Sequence, residues 1–270
     1  FKDSVVRPYY RVRDGVDPDK IDLGELGYAG EAAKSYELFS KLVDAGRISR
    51  DTRFQVSMPT SMALLCGLVV PGDRLRLEPA VNAAIAQDLH KLQQLVPPDR
   101  LAVQWDVCYE LLGAEGGPPV PYEDPLAGAA SRVAALSALV LEEAECGIHL
   151  CYGDPGHRHI VEPSSLAMSV KFANAICAAS PRPIDFVHMP VPRDRADDDY
   201  FRPLEALDLS AGTELILGLV HHTDGVEGSR KRMSIADQYV DDYSIATECG
   251  FGRRDPDTIH ELLQIHRDLL

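Results

Sequence analysis

The sequence predicts a parallel α/β barrel of the (β/α)8 type, and three observations carry that reading. A strand followed by a helix recurs six times along the 270 residues, and the strands are near-continuous apolar runs, as strands covered on both faces must be. Residues able to do chemistry collect at the C-terminal ends of those strands, namely Asp106, Cys151, His188, His222 and Cys249, and that end carries the active site in such barrels. The alternative, a doubly wound open sheet, would show a Gly-rich phosphate loop after an early strand, and neither GxGxxG nor a P-loop pattern occurs. The length suits one domain, 1–270, with 1–28 reading as an edge strand or extended arm.

Taken in order, 31–45 carries apolar residues at Ala32, Tyr36, Phe39, Leu42 and Val43, a helical stripe closed by Gly46. A strand over 53–59 ends in the turn Pro59-Thr60-Ser61, and 78–95 is helical up to Pro97-Pro98. The next strand, 101–108, sets Gln104, Asp106 and Cys108 on one face. A Gly/Pro-rich loop over 113–125 leads to a helix at 127–144; its length suggests a lid or surface excursion. The strand 147–153 is followed by a polar loop, 154–159, and a helix over 164–179 with Ser164 as its cap. Strands follow at 184–190, 213–222 and 243–249, with a charged loop at 193–200 and a helix at 229–240. Asp255-Pro256 opens the last helix in cap-then-proline order.

Composition narrows the function classes. A formal net charge of −15 argues against a nucleic-acid partner, whose phosphates are bound by Lys and Arg. No run of about 18 apolar residues is present and the N-terminus lacks the order of a signal peptide, so a cytoplasmic protein without a membrane partner is expected. The six cysteines are scattered and show no CxxC spacing, which favours free thiols over a disulfide framework.

The chain is organised around Gly147-Ile148-His149-Leu150-Cys151-Tyr152-Gly153. Strand periodicity of two points His149 and Cys151 to one face, so two soft-metal ligands share one cavity. A third donor is offered by Cys249 at the end of a later strand.

These strand ends resemble the C-terminal catalytic barrel of the cobalamin-independent methionine synthases, within the superfamily that includes uroporphyrinogen decarboxylase. His149-Leu150-Cys151-Tyr152-Gly153 is similar to the family strand His-Met-Cys-Tyr-Ser, which supplies two zinc ligands. Thr247-Glu248-Cys249-Gly250-Phe251-Gly252-Arg253-Arg254 resembles Asn-Pro-Asp-Cys-Gly-Leu-Lys-Thr-Arg, which supplies another thiolate. Val103-Gln104-Trp105-Asp106 is similar to Ile-Gln-Ile-Asp, whose aspartate holds the amino group of the thiol substrate.

The resemblance spans roughly 50–270 and implies zinc held by His149, Cys151 and Cys249, with methyl or alkyl transfer to a thiol. It further implies methylfolate as a donor, a small thiol as acceptor, and Asp106, Gln104 and Arg253 as substrate contacts. His222 falls one residue from the family histidine assigned to protonating the leaving group. Pro190 stands where the family has its glutamate ligand, which leaves His188 on the same face as the fourth candidate; Val107 replaces an acid. The family's opening Gly-Ser-Phe-Pro strand is not found, so one or two strands are expected upstream of residue 1. A homo-oligomer is compatible with all of this. Two other classes stay open: a metal-free lyase or decarboxylase using Asp106, His188 and Arg253 on a small acidic molecule, and a non-catalytic binding protein.

Overall fold

A computed structural model describes residues 9–153 and 158–270, and of Arg253 the backbone only. The elements alternate through most of the chain. Helix α1 (Tyr28–Asp44) leads to strand β1 (Phe54–Pro59), and helices α2 (Ser61–Leu68) and α3 (Arg74–Leu95) lead to β2 (Leu101–Val107). Helices α4 (Tyr109–Ala114) and α5 (Pro125–Ser137) precede β3 (Glu145–Leu150), and α6 (Ala167–Ala179) precedes β4 (Phe186–Pro190). The short α7 (Asp198–Phe201), β5 (Glu214–Val220), α8 (Gly225–Ala236), β6 (Ser244–Thr247) and α9 (Ile259–Leu269) complete the order.

The six strands form one parallel sheet in the order β1-β2-β3-β4-β5-β6. A doubly wound sheet reverses its strand order at a switch point; here each strand pairs with the next, without reversal. The eight strands of a complete barrel are not what the described residues form, because β1 and β6 are both edges and do not pair with each other. The singly wound order follows from right-handed crossovers repeated in one direction, which lay successive helices on the same face.

Register sorts the side chains by chemistry. The row Met58, Trp105, Ile148, Val187 and Leu215 is aligned across five strands, and all of these are buried. The adjacent row on the opposite face aligns Pro59, Asp106, His149, His188 and Ile216. One residue of shift in any strand would exchange the two rows, and burying Asp106 and both histidines among helices would cost far more than any alternative pairing could return. Gly147 lies on the polar face one row down; a Cβ there would sit 2.2 Å from the Phe186 ring, so glycine is what lets that ring lie across the sheet.

Several boundaries differ from the sequence expectation, each for a tertiary reason. Residues 61–68 form α2, with the Thr60 hydroxyl accepting from the Ala63 N–H; the segment is apolar almost all round, so no periodic stripe marks it as helical. The helix expected at 127–144 ends at Ser137. Past it, the Arg182 guanidinium donates to the carbonyls of Val140, Leu141 and Ala144, and Gln93 accepts from the Leu141 N–H. Those carbonyls therefore need no further helical turn. Helix α4 follows β2 ahead of the loop expected at 113–125 and overlaps only its first two residues, and α7 lies in the charged loop. Ser164 does not cap α6; Ser165 Oγ accepts from the Ala167 N–H instead. Helix α8 begins four residues before the expected 229 because Asp224, just ahead of it, is held by Arg232, itself 1% exposed. Residues 1–8 lie outside the described part. From Tyr9 on, the N-terminal segment is an arm rather than a sheet strand, joined by a single parallel bridge from Tyr10 to Val69 and by the Val12 N–H donating to Asp73.

Between α3, α4 and α5 the helix layer buries charge. Arg132 pairs with Glu78 and lies 3.9 Å over the Tyr122 ring, while Glu110 is fully buried beside them. Burial pushes the Glu110 carboxyl up to about 7, with the Thr60 hydroxyl pulling only part of the way back. An acid whose folded pKa is raised contributes most stability below its unfolded value near 4.5, loses it as pH climbs to about 7, and changes nothing beyond. Glu110→Gln is therefore expected to be more stable than the parent at pH 8 by on the order of 1–3 kcal/mol, the advantage vanishing near pH 4.5. Urea melts at the two pH values measure it; an advantage that does not change with pH would show that Glu110 titrates normally.

Candidate metal centre

Strand β3 places His149 on the polar face, and Cys151 follows two residues later with its backbone still on the sheet, its N–H donating to Val107 O at 3.1 Å. Gly153, at φ 77°, turns the chain away and lets its own N–H donate to the Cys151 sulfur at 3.2 Å. Cys249 comes from the far side of the sheet, two residues past β6, where the Thr247 hydroxyl donates to the Cys249 carbonyl at 2.7 Å and fixes the turn. One ligand atom from each of His149, Cys151 and Cys249 lies within 4.8 Å of the others. Donors about 2.0–2.3 Å from a shared ion stand roughly 3.3–3.8 Å apart in a tetrahedron, so the group could hold a metal ion such as zinc.

The donors lie in a buried, mutually interacting group. His149 is 4% exposed, and neither ring nitrogen meets a well-directed hydrogen-bond partner. Burial pulls its pKa down, but the Cys249 thiol and the Asp106 carboxylate outweigh that and the net shift is upward. Both thiols are held above the ordinary range: Cys151 chiefly by the neighbouring Cys108 thiol, Cys249 by the Cys151 thiol and by burial. Without a cation both thiols are thus held in the neutral form, and a bound cation would favour the thiolates instead.

Three further predicted residues are placed as follows. Asp106 and His188 flank His149 in the same row, on β2 and β4. Gln104 Nε2 donates to Asp106 at 2.8 Å and to Ser57 at 3.0 Å, while its own carbonyl accepts from Gln55, so a chain of amides orients the carboxylate. The His188 ring stacks on His149 with centroids 4.5 Å apart, and burial, then the His149 charge, hold its pKa well below the usual value. Its Nε2 is directed towards Gly218, where a Cβ would come within 2.8 Å. His188 is not part of the converging donor group.

His222 is not brought into this cavity. His222 bonds Glu261 Oε2 on α9 at 2.9 Å and lines a separate polar groove with Arg193 and Glu248. Its neighbour His221 is spent on the Val191 carbonyl at 2.8 Å. The side chain of Arg253 lies outside the described residues. What sequence reasoning missed is the β1 contribution: Gln55 and Ser57, alternating like Gln104 and Asp106, line the same cavity of about 440 Å³. They also line a groove beneath α1, which makes the β1 edge the open side. Glu248, on the other side of the backbone from Cys249, lies 2.8 Å from His159 Nε2.

No protein-family model and no curated protein matches the chain. Among solved structures it is similar to a crystal structure from Listeria monocytogenes provisionally named a vitamin-B12 independent methionine synthase, at 11% identity with a TM-score of 0.47. The match covers 80% of this chain and spans 63% of the other's length. Among the described residues no helix is long and apolar enough to cross a membrane.

Proposed function

We propose that this chain binds zinc through His149, Cys151 and Cys249 and transfers a methyl or other alkyl group to the sulfur of a small thiol. The observation that carries the reading is the convergence of one imidazole and two thiols, from β3 and the end of β6, beside an oriented carboxylate. When bound, zinc supplies a positive centre that stabilises a thiolate at neutral pH. The chain's own residues do the rest. Asp106, fixed by Gln104, pairs with the ammonium group of the acceptor, and Gln55 and Ser57 offer further polar contacts at the open side. Holding acceptor and donor in line is the larger part of the work in such a reaction.

Methylfolate is the donor to try first and homocysteine the acceptor, because the sequence motifs resemble those of a methionine synthase barrel. The test is elemental analysis of protein purified without a histidine tag, followed by thiol methylation assays on the metal-loaded form. Stoichiometric zinc with methylated thiol as product is the expected result. Metal-free protein that turns over a small acid would overturn the reading in favour of a lyase.

A further inference from the structure

Three protein donors leave one coordination position, and Cys108 is placed to fill it. The bond from the Cys151 N–H to Val107 O carries the β2/β3 register one step past Val107 and Leu150, which sets Cys108 directly beside Cys151. Neighbouring strands run about 4.8 Å apart, so side chains at paired positions meet on one face. Consistent with that placement, Cys108 is the first cause of the upward shift of the Cys151 thiol. Cys108 also stands at the start of α4 without making a capping bond, so its sulfur is not committed to the helix. The neighbouring donors are placed otherwise: the ring of His188 stacks on His149, outside the converging group and with its Nε2 on the Gly218 side, and Asp106 receives the Gln104 amide.

We propose that Cys108 is the fourth protein ligand, completing a site of three thiolates and one imidazole with His149, Cys151 and Cys249. The inference rests on the metal-binding reading above and deepens it. Cys108 stands outside the converging triangle at the register position beside Cys151, so its sulfur must move towards the triangle when the ion binds. Four protein donors make the resting site closed, so the acceptor sulfur would bind by displacing one of them, whereas three would leave that position to water. Three sulfurs also make it softer than a set completed by a carboxylate, which biases it towards zinc and away from magnesium or manganese.

Cobalt(II) titrated into the purified chain reads the donor set directly, because thiolate-to-cobalt charge transfer grows with the number of bound sulfurs. Cys108→Ser is expected to lower that absorbance per bound cobalt by about one third and to weaken cobalt binding by at least about tenfold. Cys66→Ser, which removes a buried thiol of α2, should change neither. Undiminished absorbance per cobalt in Cys108→Ser overturns the assignment while leaving Cys151 and Cys249 as ligands. Absence of the band in the parent protein overturns the metal reading itself, and this assignment with it. Iodoacetamide labelling of the parent, read by mass spectrometry, needs no variant to fold. Cobalt must protect Cys108 together with Cys151 and Cys249, and labelling of Cys108 in the cobalt-bound form overturns the proposal.

Discussion

Cys151→Ser and Cys249→Ser are each expected to lose bound metal and thiol alkylation together, with metal affinity falling by well over about 100-fold. Removing a partner that merely orients a ligand already costs roughly 10–100-fold, and a serine hydroxyl at neutral pH offers no anion in place of the thiolate. The fold should survive either change. The two sulfurs sit at the open end of the sheet, beyond the packed row of Met58, Trp105, Ile148, Val187 and Leu215. Elemental analysis beside a thermal melt measures metal content and fold. A variant that keeps full metal occupancy would remove that sulfur from the ligand set.

Asp106→Asn is expected to depress kcat/KM for an amino-bearing thiol by about 100-fold or more while leaving metal content and stability near those of the parent. The size follows from pairing in a partly water-excluded cavity, where a lost charge partner leaves an ammonium group desolvated at a cost of about 2–5 kcal/mol. Asparagine keeps an oxygen for the Gln104 amide, which donates to the carboxylate at 2.8 Å, so geometry is preserved and charge alone is removed. The discriminating comparison is a thiol without the amino group. With that acceptor, parent and variant should be equally fast; a variant equally active on both would assign Asp106 to orienting His149 rather than substrate.

Much of this site could be read along the chain because its logic is local. His149 and Cys151 share a face by the two-residue period of a strand, and Gln104 and Asp106 do so for the same reason. Six apolar runs alternating with helical stripes dictate a parallel sheet, since parallel neighbours require a crossover and a buried strand requires cover. The fates of His222 and Ser164 were not local. Which way a residue just past a strand end turns depends on the partner that meets it, and His222 meets Glu261 of a helix 39 residues later.

The sequence by itself determined the parallel α/β class, the polarity of the strand ends and the pairing of His149 with Cys151, because backbone periodicity and the cost of burying polar groups act within a few residues. Cys249 too was offered as a third donor by its place at a strand end, while only the tertiary structure decided how near it comes, that His188 stacks on His149, and that Cys108 stands beside Cys151 in register. These are matters of register and crossover between strands distant in sequence, set by the packing of the whole sheet and invisible to any window on one strand.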